Sequence, residues 1–276
     1  MLSKAAFSVA EEFRRQAGII EAVIKGWMAY RFDFFMALLG SLLTMAMVYF
    51  LWTSIYHSAV SMDMTYSALI TYVCLGQACS FARPGQRQMI VRIGYGIRSG
   101  QILMDLVRPT DYQLMVFTET LGAYLMEFLM VSLPSFLLAW LVFGISPPAS
   151  PEAGIGFLVS LAGAVFLILS FDFLIGLMAF WTFNVWGLGY AKIAVLDILA
   201  GTIIPLSLFP DGLRGIVMAL PFKDMAYTPL AIYIGRISGG AIWTSILVQF
   251  VWGIVLVLLT RLIWMKARRR IEIQGG

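Results

Sequence analysis

Charge and histidine are what this sequence has least of. Only 12% of its 276 residues are Asp, Glu, Lys or Arg, against about 25% in soluble domains. With 61% hydrophobic residues and a mean hydropathy of +0.88, the chain reads as an integral membrane protein and not as a soluble domain. His57 is the one histidine, and Cys74 and Cys79 are the only two cysteines. That is too few ligands for a zinc site, and no nucleophile–base pair can be assembled, which argues against a membrane enzyme. Cys74 and Cys79 lie five apart in an apolar run and read as small apolar filling. No Gly-Lys dipeptide occurs. A phosphate-binding loop needs backbone amides and a lysine in G-x-x-x-x-G-K-[S/T] to cradle phosphates, so ATP hydrolysis by such a loop is excluded for this chain. No signal peptide opens the sequence: Lys4, Glu11, Glu12, Arg14 and Arg15 interrupt any early apolar core. The first span is expected to serve as its own insertion signal.

What is present is long apolar runs. A helix needs about 20 apolar residues to cross the bilayer core. Six runs qualify: Phe34–Ile55, Met64–Phe81, Tyr112–Phe143, Gly154–Trp181, Tyr190–Phe209 and Ala241–Trp264. The third and fourth are long enough to tilt, kink or project, and Pro134 is positioned to kink the third. The expectation is a single all-α transmembrane domain over 1–276: an interfacial arm at 8–31, a six-span bundle at 34–264 and a basic tail at 265–276. The eight tryptophans, Trp27 among them, fall mostly near span ends, as interfacial anchors do.

The net charge of +4 is small, and its placement matters more. Lys4, Arg14, Arg15, Lys25 and Arg31 precede the first span. Arg83, Arg87, Arg92, Arg98 and Arg108 lie between the second and third. Lys192 is assigned to the fourth connection and the first turn of span five, and Arg261, Lys266, Arg268, Arg269 and Arg270 to the C-terminal end. These sixteen stand on one side, against Arg214, Lys223 and Arg236 on the other. The positive-inside rule then places both termini in the cytoplasm of a multi-pass plasma (inner) membrane protein, in agreement with an even number of spans.

Two segments on the basic side are amphipathic. In EEFRRQAGIIEAVIKGWMAYR (11–31), Ile20, Val23, Ile24 and Trp27 share one helix face, while Glu21 and Lys25 form an i, i+4 pair elsewhere. This predicts a helix lying in the membrane interface. In IRSGQILMDLVRP (97–109), Arg98, Gln101, Asp105 and Arg108 fall within one narrow helical arc, and Ile102, Leu103, Leu106 and Val107 take other faces. Gly94 and Gly96 loosen the approach, Gly100 weakens the first turn and Pro109 sets a stop. The connection is far longer than the 2–8 residues that commonly link helices in bundles.

Four acids fall within the apolar runs: Glu119, Glu127, Asp172 and Asp197. Ionisable groups there are costly and often functional. Glu119 and Asp197 are expected near span ends, paired or wetted. Glu127 and Asp172 are expected deeper, facing a common cavity. Lys192 sits five residues before Asp197, a poor spacing for helical pairing. Ahead of the last span, GTIIPLSLFPDGLRGIVMALPFKDMAYTP (201–229) is broken by Pro205, Pro210, Pro221 and Pro229, with Phe222 beside the third. Irregular backbone at membrane depth survives only where protein or a wet cavity covers it. A re-entrant element of short broken helices on the outer side is the expectation.

GTIIPL (201–206), FP (209–210), LPF (220–222), YTP (227–229), FWTFNVWGL (180–188) and IRSGQILMDLVRP together resemble the membrane subunit of type 2 ABC exporters, a permease class with six spans per subunit. The resemblance covers nearly the whole chain in layout. It implies pairing with a second permease, more often different than identical, and binding of a cytoplasmic ABC ATPase dimer that carries the ATP and Mg. No cofactor is expected on this chain. It also implies that 97–109 is the coupling helix, with Arg98, Gly100, Gln101, Asp105, Arg108 and Pro109 meeting the ATPase. The arm with Arg14, Arg15, Glu21, Lys25 and Trp27 would be the connecting elbow, and Pro205, Pro210, Pro221, Phe222 and Pro229 the outer cap. Membrane lipid is a further partner, and nucleic acid is not. A proton-coupled secondary transporter using Glu127 and Asp172 is the alternative, although no internal repeat of the kind such folds often carry is visible.

Overall fold

The computed structural model describes residues 2–28, 31–58, 64–79, 88–182, 185–202, 206 and 209–270; the side chains of 2–10, 27, 28, 31, 211 and 270 stand outside that description. Among the described residues the chain is all helical, with no strand. The helices are α1 (Leu2–Met28), α2 (Arg31–His57), α3 (Tyr66–Cys79), α4 (Gln88–Arg98), α5 (Gln101–Val107), α6 (Tyr112–Glu127), α7 (Leu133–Phe143), α8 (Pro151–Leu177), α9 (Val185–Leu199), α10 (Asp211–Ala219), α11 (Tyr227–Tyr233) and α12 (Gly240–Ala267).

Among the described residues, four helical stretches are long and apolar enough to cross a membrane: Phe32–His57, Tyr112–Phe143, Pro151–Phe180 and Gly240–Ala267. The other two expected spans are shorter. Helix α3 has 14 residues and α9 has 15, about 21–23 Å at 1.5 Å per residue. The run expected at Tyr190–Phe209 is therefore not one helix. It begins earlier, at Val185, and ends at Leu199, because Gly201 turns left-handed (φ 75°) and its carbonyl accepts the Tyr72 hydroxyl at 2.7 Å. Only a residue without Cβ takes that backbone at no cost.

Helix α8 is the centre of the bundle. Ser150 caps its start by accepting the Ala153 amide at 3.0 Å, and Pro151 occupies the first turn, where no amide is needed. It packs on α12 along small residues. A Cβ at Gly156 would stand 2.6 Å from Ile242 Cγ2, and one at Gly163 would stand 3.2 Å from Gln249 Oε1. Close backbone approach through small residues is how membrane helices gain packing where lipid is as apolar as leucine. A polar clasp locks this seam. Ser160 Oγ donates to Gln249 Oε1 at 2.9 Å, and Gln249 Nε2 donates to Ser160 O at 3.2 Å and Asp224 O at 2.7 Å. All of this is buried, so no water competes.

Pro134 stands in the third run beside a local change of helical geometry. Phe128–Ser132 form a π turn immediately before α7, whose second residue is the proline. The wider turn absorbs the missing amide donor.

Adding a side chain at Gly253, whose Cβ position is filled by the Phe166 ring, is expected to force α8 and α12 apart. Gly253→Val should destabilise the purified protein by about 1–3 kcal/mol. Gly212→Ala, which meets nothing within 4 Å, should leave the thermal unfolding midpoint in detergent nearly unchanged.

Candidate functional site

The segment 97–109 does not form one helix. Helix α4 ends at Arg98, Ser99 and Gly100 make a turn with Gly100 at φ 74°, and α5 begins at Gln101. The expected single arc is broken by that left-handed residue. Asp105 turns inward and is 2% exposed, while Arg98, Gln101, Arg108 and Pro109 face out. Gly94 and Gly96 are not a loose approach but part of α4. Gly94 lets α4 meet α9, since a Cβ there would stand 2.7 Å from Val185 Cγ1. On its other side α4 seats Ile93 against Gly176 of α8.

One guanidinium organises this end. Arg92 of α4 grips Glu119 of α6 with two bonds, Nε to Oε2 at 2.6 Å and Nη2 to Oε1 at 3.2 Å. Its Nη1 donates to Asp105 Oδ2 of α5 at 2.8 Å. Three helices are thus tied through one planar fork, the geometry that suits arginine and not lysine. Burial works against the Arg92 charge, but the bonds to Glu119 and Asp105 outweigh it and hold its pKa above the ordinary value. Arg108 stands 4.0 Å from the other oxygen of Asp105. Sequence reasoning counted Arg92 only as a loop charge; its partners lie 13 and 27 residues away, beyond helical spacing.

Two further ties close the same end. Asp111 caps α6 by accepting the Leu114 amide at 3.1 Å, and it pairs with Arg261 of α12 at 2.6 Å. Burial pushes the Asp111 carboxyl up, but Arg261 and the backbone amides pull it net below the ordinary value. Arg15 of α1 donates to Pro109 O at 3.0 Å. The arm lies along α6, with Ile20 and Val23 against Gly122 and Ile19 in the apolar cluster around Trp264. Arg14 is exposed, and Glu21 and Lys25 pair in the open at 2.6 Å; the side chain of Trp27 lies outside the described residues. What this end presents outward is mixed: basic Arg98 and Arg108 beside Tyr95 (63% exposed), Met104 (67%) and Val107 (83%). The three apolar members carry no signal in a helical wheel drawn through the Gly100 break.

Deeper in the bundle, Lys192 does not sit in a connection. It lies in α9 and pairs with Asp172 of α8 at 2.5 Å, both side chains fully buried. The Tyr124 hydroxyl donates to Asp172 Oδ2 at 3.1 Å. Glu127, one turn after Tyr124, is 3% exposed, and its Oε2 has no hydrogen-bond partner. Tyr124 thus bonds Asp172 and lies one turn from Glu127 on α6. A separate cleft is lined by Asp197.

The proline-rich segment folds as short helices. Pro210 precedes α10. Pro221 and Phe222 lead into the turn Lys223–Met225, and Pro229 lies in α11. Pro205 lies outside the described residues. Asp224 is sealed in this element, its Oδ1 held by Lys223 at 2.8 Å and Thr228 at 2.6 Å. Phe222 packs edge-on against Phe171 of α8, ring centroids 5.5 Å apart. No group of three or more metal-ligating side chains is found among the described residues.

Residues 42–275 match the profile of a family described as ABC-2 family transporter protein. No curated protein gives a significant match to the chain.

Arg92→Met should strand the buried Asp105 carboxylate, and breaking such a pair costs up to about 3–5 kcal/mol where it is fully buried. Arg92 keeps 26% of its side chain exposed, so a smaller loss of about 2 kcal/mol is expected here. The triple variant Arg92→Met, Asp105→Asn, Glu119→Gln should recover much of it, read as thermal unfolding monitored by size-exclusion chromatography.

Proposed function

Because the chain belongs to the ABC-2 transporter family, whose members are membrane components that work with an ATPase, we propose that it is the permease subunit of an ATP-driven exporter. It lies in the plasma (inner) membrane with both termini cytoplasmic. Six segments span the bilayer, with α3 and α9 completing the set of four long helices. A second permease, different in sequence, forms the translocation path with it, and a cytoplasmic ABC ATPase dimer carries ATP and Mg. The outer element from Pro205 to Pro229 caps that path.

The observation that carries this reading is the Arg92 fork. A soluble partner pressing on the outward face of α4 and α5 (Tyr95, Arg98, Gln101, Met104, Val107, Arg108) cannot move them without moving α6, because Arg92 holds Asp105 and Glu119 together. The Asp111–Arg261 pair and the Arg15–Pro109 bond extend the same tie to α12 and α1. ATP hydrolysis on the partner supplies the free energy, and this chain supplies a stiff lever from the docking face into the spans. The proton-coupled alternative has one of its acids, Asp172, already matched by Lys192, and it would rest on Glu127 alone.

Met104→Asp combined with Val107→Asp changes two exposed side chains and should leave folding intact. It should abolish co-purification of the ATPase and ATP-dependent export from inverted vesicles. Undiminished ATPase capture by this variant would remove the docking assignment. Transport that persists under ATP depletion at a constant proton gradient would favour the alternative.

A further inference from the structure

Beside α9 and the outer element lies a partly open cleft with an enclosed volume of about 50 Å³, so a ligand there is only partly surrounded. Its wall is mostly apolar, with Phe157 and Ile168 from α8, Leu196 from α9, and Met225 and Leu230 from the outer element. One acid, Asp197, lines it near the end of α9. Thr202 Oγ1 donates to the Asp197 carbonyl at 3.0 Å and to Oδ1 at 3.3 Å. Among the described residues no lysine or arginine pairs with Asp197.

Its surroundings set Asp197 apart from the other acids of the spans. Glu119 is met by Arg92 and Asp172 by Lys192. Among the described residues Glu127 is also without a cation, but it is sealed at 3% exposure and lines no part of this cleft. Of these four acids, Asp197 is the one that lines this cleft. A carboxylate with apolar walls attracts a charge more strongly than one in water, because less solvent screens it. The walls reward an apolar body, and the carboxylate rewards a positive head.

We propose that this cleft binds an amphipathic organic cation, its positive group set against Asp197 and its apolar body against Phe157, Ile168 and Met225. A neutral molecule of the same shape leaves the carboxylate unmatched, and an anionic one is repelled, so the site discriminates by charge as well as shape. Thr202 positions the acid through its hydroxyl contact to Oδ1. The proposal rests on reading the chain as a transport subunit. Binding is measured without any ATPase, however, so its failure is distinct from a failure of ATPase docking.

The test uses the full chain in phosphatidylcholine nanodiscs, with rhodamine 6G as the cationic probe and N-phenyl-1-naphthylamine as a neutral one. Fluorescence anisotropy should show saturable rhodamine 6G binding above empty discs. Asp197→Asn should weaken it by about tenfold or more, and Asp197→Glu should retain binding within about threefold, tenfold being about 1.4 kcal/mol of binding free energy. Affinity for the neutral probe should be no weaker in either variant than in the wild type, which also verifies that the cleft remains folded. Absence of saturable rhodamine 6G binding to the wild-type chain overturns the proposal. So does an Asp197→Asn protein that binds as the wild type, or an Asp197→Glu protein as weak as Asp197→Asn. Parallel loss of the neutral probe in Asp197→Asn would show that shape and not charge decides, and would overturn it as well.

Discussion

A charge withdrawn from water is costly unless another meets it, and three buried acids packed around α8 are met in this way. Near one end of the helix, Arg92 gathers Asp105 and Glu119. In the body of the bundle, Lys192 answers Asp172 with Tyr124 as a third partner. Toward the other end, Lys223 and Thr228 hold Asp224, which Gln249 fastens to the α8–α12 seam. The seam residue Ser160 and the paired Asp172 are twelve residues apart on one rod, about 18 Å. The Arg92 and Lys192 pairings and the Gln249 bond join different helices and act as cross-ties, whereas Lys223 and Thr228 hold Asp224 locally. Van der Waals packing along Gly156 and Gly163 brings the helices close; the charge pairs decide which faces meet.

Hydropathy made the broad plan legible. The runs at 34–55, 112–143, 154–181 and 241–264 correspond to the four long apolar helices, because a span of that length is written in consecutive residues. What stayed hidden was whatever depends on partners distant in the chain. Lys192 reads from sequence as the junction of the fourth connection and span five, yet it lies well inside α9, paired with Asp172. The arc of Arg98, Gln101, Asp105 and Arg108 assumed an unbroken helix, and Gly100 breaks it. The end of α9 was placed ten residues late, since GTIIPL is apolar enough to read as a continuing span while Gly201 turns the backbone. Arg92 carried no local mark distinguishing it from its basic neighbours.

The family profile begins at residue 42, within α2, so α1 lies outside the matched region. The arm is nonetheless packed against α6 through Ile20 and Val23 and bonded to Pro109 through Arg15. The arm therefore touches both the segment proposed to dock and the helix that Arg92 holds.

The π turn at Phe128–Ser132 bears on the helix that contains it. One extra residue in a helical turn rotates everything after it by about 100° relative to an uninterrupted helix. The stripe that α6 turns toward α1 and α8 is consequently out of phase with the stripe that α7 turns toward α2 and α3. A straight 32-residue rod would offer all its neighbours one continuous face. With the phase reset midway, a single membrane crossing faces two different sets of neighbours, and the bundle fills its circumference without an additional helix.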